Sequence, residues 1–255
     1  LAAEQAKIRL DNLAVARGLF PSRARARDAI LRGAVRVNGA AELKPGRPVA
    51  ANAEITAADA GQAYVSRAAL KLIAALDGFH ISAAGAVAAD IGASTGGFSQ
   101  VLLERGAVRV VAVDVGHGQL AAGLRADPRL RLYEGLNARA LTAAQFSENG
   151  LFTPPNLIVS DVSFISLKLA LPPVLALAAK GAKAALLVKP QFEAGREHIG
   201  KGGLVAAEIA AAVAQDLYDW LNAQPQWRAC GLLPSPIKGG DGNREFLLGG
   251  EKSNG

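Results

Sequence analysis

The stretch Ala89-Asp90-Ile91-Gly92-Ala93-Ser94-Thr95-Gly96-Gly97-Phe98-Ser99-Gln100 ends an apolar run that begins at Val87 and leads into residues with helical spacing. An apolar strand that finishes on a carboxylate and turns through glycines into a helix brings backbone close to a ligand at the carboxyl edge of an open α/β sheet. Further apolar runs at 108–114, 130–134, 157–161 and 184–189 alternate with helical stretches, and more pairing is expected near 229–233 and 244–248. That order predicts a doubly wound, mostly parallel sheet with helices on both faces.

The glycine turn is not a dinucleotide fingerprint, which needs Gly-x-Gly-x-x-Gly where this chain has Gly92, Gly96 and Gly97. Nor is it a P-loop, because no Lys-Ser/Thr pair follows the last glycine. The acidic strand end, Asp90, disfavours a pyrophosphate and suits a ligand bearing an ammonium and a sulfonium. S-adenosylmethionine carries both. Asp114 ends the next strand, where a carboxylate can accept from two ribose hydroxyls or simply cap the following helix.

What the later strands lack narrows the acceptor. Asn156-Leu157-Ile158-Val159-Ser160-Asp161-Val162-Ser163-Phe164 has no Pro-Pro-aromatic segment of the kind that seats a planar amino nitrogen. Methylation at a pyrimidine carbon needs a cysteine nucleophile, and the single cysteine, Cys230, falls in a late apolar strand and is expected in the core. A hydroxyl acceptor remains. A ribose 2′-hydroxyl needs a positioned base and cations near the developing oxyanion. Lys189 ends one apolar strand and Asp161 a neighbouring one, which suits either a base facing a site or a lysine snorkelling from a strand end.

Charge divides the chain. Of the net +6, +5 lies in residues 1–56, where ten basic residues stand against five acidic ones. The asymmetry fits a small module that binds a polyanion beside a near-neutral body, or a solvated basic face. Leu10, Leu13, Ala14 and Leu19 predict a short helix ending near Gly18, with Ser22 capping a second helix over 23–32 that Gly33 stops. Val35-Arg36-Val37 and Asn38-Gly39 predict a strand and hairpin turn, with another strand over 49–55.

Arg9-Leu10-Asp11, Ser22-Arg23-Ala24-Arg25-Ala26, Ile30-Leu31-Arg32-Gly33 and Val35-Arg36-Val37-Asn38-Gly39 resemble the S4 RNA-binding domain over residues 7–56. The resemblance implies an α+β module gripping structured RNA, with Arg9, Arg17, Arg23, Arg25, Arg27, Arg32 and Arg36 as candidate phosphate contacts. Tyr64-Val65-Ser66-Arg67-Ala68-Ala69-Leu70-Lys71-Leu72, Asp161, Lys189-Pro190-Gln191-Phe192-Glu193 and Arg244-Glu245-Phe246 resemble the FtsJ-like ribose methyltransferases with their Lys-Asp-Lys-Glu tetrad. Carried over, the tetrad is Lys71, Asp161, Lys189 and Glu245. It implies that Lys189 activates the 2′-hydroxyl, that Asp161 and Glu245 orient and tune it, and that Lys71 adds positive charge.

With His117-Gly118-Gln119, Asn137-Ala138-Arg139 and Gly200-Lys201-Gly202-Gly203 also in place, nearly the whole chain resembles the haemolysin A (TlyA) family. That implies an S4-like domain at 1–56, a linker at 57–65, a Rossmann-like S-adenosylmethionine-dependent methyltransferase domain at 66–250 and a tail at 251–255. It implies S-adenosylmethionine held by Asp90, Gly92, Ser94, Thr95, Gly96, Gly97, Phe98, Asp114, Asn137 and Asp161. The implied partner is ribosomal RNA or a ribosomal subunit, methylated on cytidine 2′-hydroxyls.

Other classes fit less well. One cysteine cannot build a disulfide framework, no Cys/His cluster offers zinc ligands, and Leu1 to Lys7 lack the order of a secretory signal, so a cytoplasmic, metal-free protein is expected. The uncharged stretch 169–179 is too short to span a bilayer and reads as a core helix. A membrane-active lysin, which the family's historical name invites, would need a span or a bulky amphipathic basic helix. A passive RNA binder with a degenerate methyltransferase fold sits poorly with the complete tetrad. A pseudouridine synthase would have to find its aspartate in Arg9-Leu10-Asp11, inside the RNA-binding module. Residues 192–204 are expected to form a mobile loop over substrate or a simple surface loop, His117 and His198 to be polar loop residues, and 249–255 to be loose.

Overall fold

In the computed structural model, residues 7–58 and 63–254 are described. The chain divides into two units, Leu1–Ala63 and Tyr64–Gly255. Of the expected linker, Ala57 belongs to a strand, and residues 59–62 lie outside the described residues.

The first unit runs β1 (Lys7–Arg9), α1 (Leu10–Ala16), α2 (Arg23–Leu31), β2 (Val35–Val37), β3 (Ala40–Ala41), β4 (Pro48–Ala50) and β5 (Ile55–Ala57). Leu10, Leu13, Ala14, Ala26, Ala29 and Ile30 bury one face of the two helices against Phe20, Val35, Val37, Val49 and Ile55. Ser22 Oγ accepts from the Arg25 amide and caps α2. The single strand expected over 49–55 is two strands in different sheets, β4 paired with β1 and β5 with β2. The chain turns between them, with the Ala53 amide donating to the Ala50 carbonyl. The Arg17 guanidinium fastens that turn by donating to the carbonyls of Ala51 and Ala53 at 2.6 and 2.5 Å.

The second unit runs α3 (Ala69–Gly78), β6 (Val87–Ile91), α4 (Gly97–Glu104), β7 (Arg109–Asp114), α5 (Ala122–Arg125), β8 (Leu130–Glu134), β9 (Ser147–Glu148), β10 (Leu151–Phe152), β11 (Leu157–Ser160), α6 (Leu167–Ala170), α7 (Pro172–Leu177), β12 (Lys183–Val188), α8 (Pro190–Glu193), α9 (Ala207–Asn222), β13 (Trp227–Pro234) and β14 (Phe246–Lys252). Seven strands form one sheet in the order β13-β14-β12-β11-β6-β7-β8. The five from β12 to β8 are parallel, β14 runs antiparallel beside β12, and β13 pairs antiparallel with β14 at the edge.

Both faces of the sheet are covered, which is why its strands read as continuous apolar runs. Ala88, Val110, Ala112, Val159 and Leu187 pack against Leu72, Leu76, Val101 and Leu102 of α3 and α4. Ile91, Val111, Val113, Ile158 and Leu186 pack against Leu171, Val174, Leu217 and Leu221 on the other side. Strand order reverses between β6 and β11, so a crevice opens at their carboxyl ends. Because β14 runs antiparallel, its first residue, Phe246, pairs with Val188 at that same edge.

Three expectations are corrected. Residues 169–179 form no single core helix, because the Pro172-Pro173 pair starts a new one, α7, after α6, and Leu169 is left 54% exposed. Cys230 is exposed, since β13 points Trp227 and Ala229 inward and Arg228 and Cys230 outward. The glycines read as the start of a loose tail lie inside β14, where a Cβ on Gly249 would come within 2.7–2.9 Å of the Phe79 ring. Lys252 closes that strand from a buried position, its Nζ donating to the carbonyls of Leu175, Ala176 and Ala178 at the end of α7. Among the described residues no helix is long and apolar enough to cross a membrane.

Candidate active site

The turn from β6 to α4 depends on Gly92. Its φ of +90° lies in the left-handed region, and a Cβ there would sit 2.9 Å from the backbone N and Cα of Val162. The absence of a side chain therefore lets the turn close against the backbone that leaves β11. An open cleft results, lined by Ser66, Ala68, Gly92, Ala93, Ser94, Thr95, Gly97, Phe98 and Asp161. Gly96 precedes α4 and is buried beside Leu120 and Leu124.

Asp114 ties this turn to the next. Its Oδ2 accepts from the Ser94 amide and its Oδ1 from the Gly116 amide, both at 2.7 Å. Both acceptors keep a second lone pair. Asn137 lies further along the edge, where its side chain caps a short 3₁₀ turn through the Arg139 amide at 3.0 Å.

Asp90 lies beneath the glycine turn rather than in the cleft lining, with no exposed surface. Its Oδ2 accepts from Ser99 Oγ at 2.7 Å, and its Oδ1 has no hydrogen-bond partner. Burial pushes this carboxyl up to about 7, with the nearby Asp161 charge acting in the same direction and Ser99 opposing it. Between pH 4 and 7 the folded protein thus keeps a proton that the unfolded chain has lost. Its stability is expected to fall through that window by on the order of 1 kcal/mol per pH unit from this group and to level off above it. Asp90→Asn should remove that slope, and chemical denaturation of both proteins from pH 4 to 8 checks it. Identical pH profiles would contradict the assignment.

The four residues of the expected tetrad converge as two ion pairs at the carboxyl edge. Lys189, directly after β12, places Nζ 2.6 Å from Asp161 Oδ1, 3.2 Å from the Asp161 carbonyl and 2.7 Å from Ser163 Oγ. Lys71, in the first turn of α3, pairs with Glu245, the residue before β14. Their side chains are 7% and 2% exposed. Burial raises the Glu245 carboxyl, while Lys71 and then Lys189 draw it back down.

Three features were not read from the sequence. Phe164 is 90% exposed with φ of +64°, and its ring lies 4.9 Å from that of Phe192. Phe164 follows Asp161 by three residues and Phe192 follows Lys189 by three, so both rings hang from the strand ends that carry the ion pair. Glu193 accepts from the Leu167 amide at 2.7 Å and from Ser166 Oγ at 2.5 Å, joining α8 to the start of α6. Buried Asn243 accepts from the Val205 amide and donates to the Gly203 carbonyl, at 2.9 and 2.8 Å. It pins the glycine-rich end of segment 192–204, which holds two 3₁₀ turns and a bridge between Ile199 and Val205, to the approach to Glu245. His198 lies in the first of those turns, and His117 is exposed in the loop after β7.

In the first unit the candidate RNA contacts are unequal. Arg9 and Arg23 pair with Asp11, Arg17 is committed to backbone carbonyls, and Arg36 donates to the Gly39 carbonyl at 3.0 Å. Arg27 is exposed on α2, with Arg25 and Arg32 half-buried on and just after it.

Residues 64–252 match the FtsJ-like methyltransferase family and residues 8–55 the S4 domain. A protein of Mycobacterium tuberculosis named 16S/23S rRNA (cytidine-2′-O)-methyltransferase TlyA is 43% identical over 95% of this chain and 89% of its own length. Hemolysin A of Brachyspira hyodysenteriae is 38% identical over 94% of this chain and 98% of its own. A solved structure from Streptococcus thermophilus, bearing the name of a hemolysin, superposes with a TM-score of 0.73 at 41% identity, covering 98% of this chain and 90% of that one.

Proposed function

The chain belongs to the haemolysin A (TlyA) family of FtsJ-like methyltransferases that carry an S4 domain, and on that premise we propose that it transfers a methyl group from S-adenosylmethionine to a ribose 2′-hydroxyl of ribosomal RNA. The observation that carries this reading is the convergence of Lys189–Asp161 and Lys71–Glu245 beside the glycine-turn cleft. The cleft suits the cofactor. Backbone approaches closely along Gly92 to Thr95, Asp161 offers a carboxylate to a cationic ligand, and Asp90 holds an unpartnered oxygen beneath.

When bound, S-adenosylmethionine supplies an electrophilic methyl group whose bond to sulfur breaks as the ribose oxygen takes it. Lys189 Nζ accepts the proton of the 2′-hydroxyl. Asp161 holds that nitrogen through a hydrogen bond to its carbonyl and the charge of its carboxylate. Glu245 lies close enough to Lys189 to stabilise the ammonium formed, and Lys71 holds Glu245 in place. Positioning of the two reactants carries most of the remaining acceleration.

Phe164 is the platform for the target base. A bulky side chain at positive φ is strained, and such strain persists where function needs the side chain's direction. Phe164→Ala is expected to raise KM for RNA by about fivefold or more, since a stacked base contributes about 1–3 kcal/mol. Phe164→Gly should lose the same affinity while raising thermal stability, as the strain is relieved. Unchanged KM in both variants would remove Phe164 from the substrate site.

Small and large ribosomal subunits lacking the modification are the substrates to test, because the M. tuberculosis relative is named for both rRNAs. Such substrates imply work in the cytoplasm. Methyl-labelled S-adenosylmethionine should pass label to the RNA of at least one subunit. Tight RNA binding without label on either would turn the reading into that of a passive binder.

A further inference from the structure

Asp11 lies in the Arg9-Leu10-Asp11 motif yet is 1% exposed at the start of α1, so it cannot touch an RNA itself. Its side chain instead collects two arginines. Oδ1 accepts from Arg9 Nε at 3.0 Å, and Oδ2 accepts from Arg9 Nη2 at 2.8 Å and from Arg23 Nε at 3.0 Å. The Asn12 amide also donates to Oδ1, at 2.9 Å. Both arginine side chains stay about half exposed, at 48% and 59%.

The remaining fork donors, Nη1 of Arg9 and both terminal nitrogens of Arg23, have no acceptor among the described residues. Gly46 lets the chain pass close to the Arg9 fork, since a Cβ there would lie 3.0 Å from Nη1 and 3.2 Å from Nη2. The turn containing Gly46 is itself held to α1, the Leu10 amide donating to Arg47 O and the Asp11 amide to Pro45 O.

We infer that Asp11 is a positioning residue for RNA binding, a buried carboxylate that gathers the guanidinium groups of Arg9 and Arg23 and aims their free donors together at the phosphodiester backbone. The inference rests on the reading of the first unit as RNA-binding. A solvated arginine loses rotamer freedom when it captures a phosphate, whereas these two have already lost it on folding. The arginine hydrogen bonds hold the Asp11 carboxyl down at about 2, so the clamp stays charged throughout the physiological range.

Charge bookkeeping and positioning give opposite signs, which makes the test decisive. Asp11→Asn adds one positive charge to the basic face, so by Coulomb attraction alone RNA would bind more tightly and with a steeper salt dependence. Positioning requires the reverse. The full-length protein and its variants would be titrated with an unmodified ribosomal subunit over a range of salt concentrations. Asp11→Asn is expected to weaken binding by about three- to tenfold and to reduce the slope of log K against log salt by about one, approaching Arg9→Gln or Arg23→Gln.

Equal or tighter binding by a folded Asp11→Asn protein would overturn the inference. If hydrogen exchange shows that variant to be unfolded in α1 and α2, Asp11→Glu decides instead. It keeps the charge but displaces the forks, so it should bind less tightly, and wild-type affinity would overturn the inference. If Arg9→Gln and Arg23→Gln themselves leave affinity and slope unchanged, the reading of the first unit as the RNA grip fails, a result distinct from a loss confined to the arginine variants.

Discussion

Lys189→Ala is expected to lower the rate of methyl transfer by about 10²–10⁴-fold while S-adenosylmethionine affinity changes by less than about threefold. Lys189 lies just beyond β12, and among the described residues its Nζ contacts Asp161 and Ser163. It is absent from the cleft that the glycine turn encloses. Removing the amine therefore takes away the group that receives the hydroxyl proton while leaving the glycine turn of the cofactor's cleft in place. Lys189→Arg should be nearly as slow, because a guanidinium stays protonated and cannot act as a base. Single-turnover rates and cofactor calorimetry separate the two effects. A variant that turns over within about threefold of wild type would take Lys189 out of the proton transfer.

Lys71→Met should cost about 3–5 kcal/mol of folding stability, the second large effect. Lys71 and Glu245 are almost fully buried, so deleting the ammonium strands a carboxylate in a site where burial already disfavours its charge. The loss should shrink as pH falls, because protonation of Glu245 removes the unpaired charge. Replacing both partners, in Lys71→Met/Glu245→Leu, should recover most of the stability and none of the activity. Urea denaturation at pH 5 and 8 tests the series. A single variant within about 1 kcal/mol of wild type at pH 8 would show that the pair is not dry.

The same pair also shows why part of the site is hard to read from a sequence. Asp90, Gly92 and Gly96 lie within one strand and turn, so local spacing reveals them. Lys71 and Glu245 are 174 positions apart and meet only because β14 runs antiparallel beside β12. No local pattern encodes that meeting, and only a resemblance to a family supplied it. Phe164 was legible as a residue but not as an exposed ring, since its direction follows from a backbone in the left-handed region.

What the fold adds to the sequence has physical causes. Gly249 and Gly250 look like a flexible end, yet they are glycines because Phe79 and Leu221 press on the strand. Asp90 reads as a strand-end carboxylate, and only the fold shows that a short apolar strand buried on both sides carries it beneath the turn. Arg17 carries the same charge as its neighbours, and only the fold shows that its donors are committed to the β4–β5 turn. Composition ranks all seven arginines alike, whereas burial and partners separate them.

The chemical identity of the methylated atom tests the account most directly. Unmodified ribosomal subunits would be treated with the protein and methyl-labelled S-adenosylmethionine, and the labelled RNA would then be hydrolysed in alkali. A ribose 2′-O-methyl group blocks attack on the adjacent phosphodiester, so the label is expected in an alkali-resistant dinucleotide. Label released in a mononucleotide with the methyl on its base would contradict the tetrad chemistry, even though the protein would remain a methyltransferase.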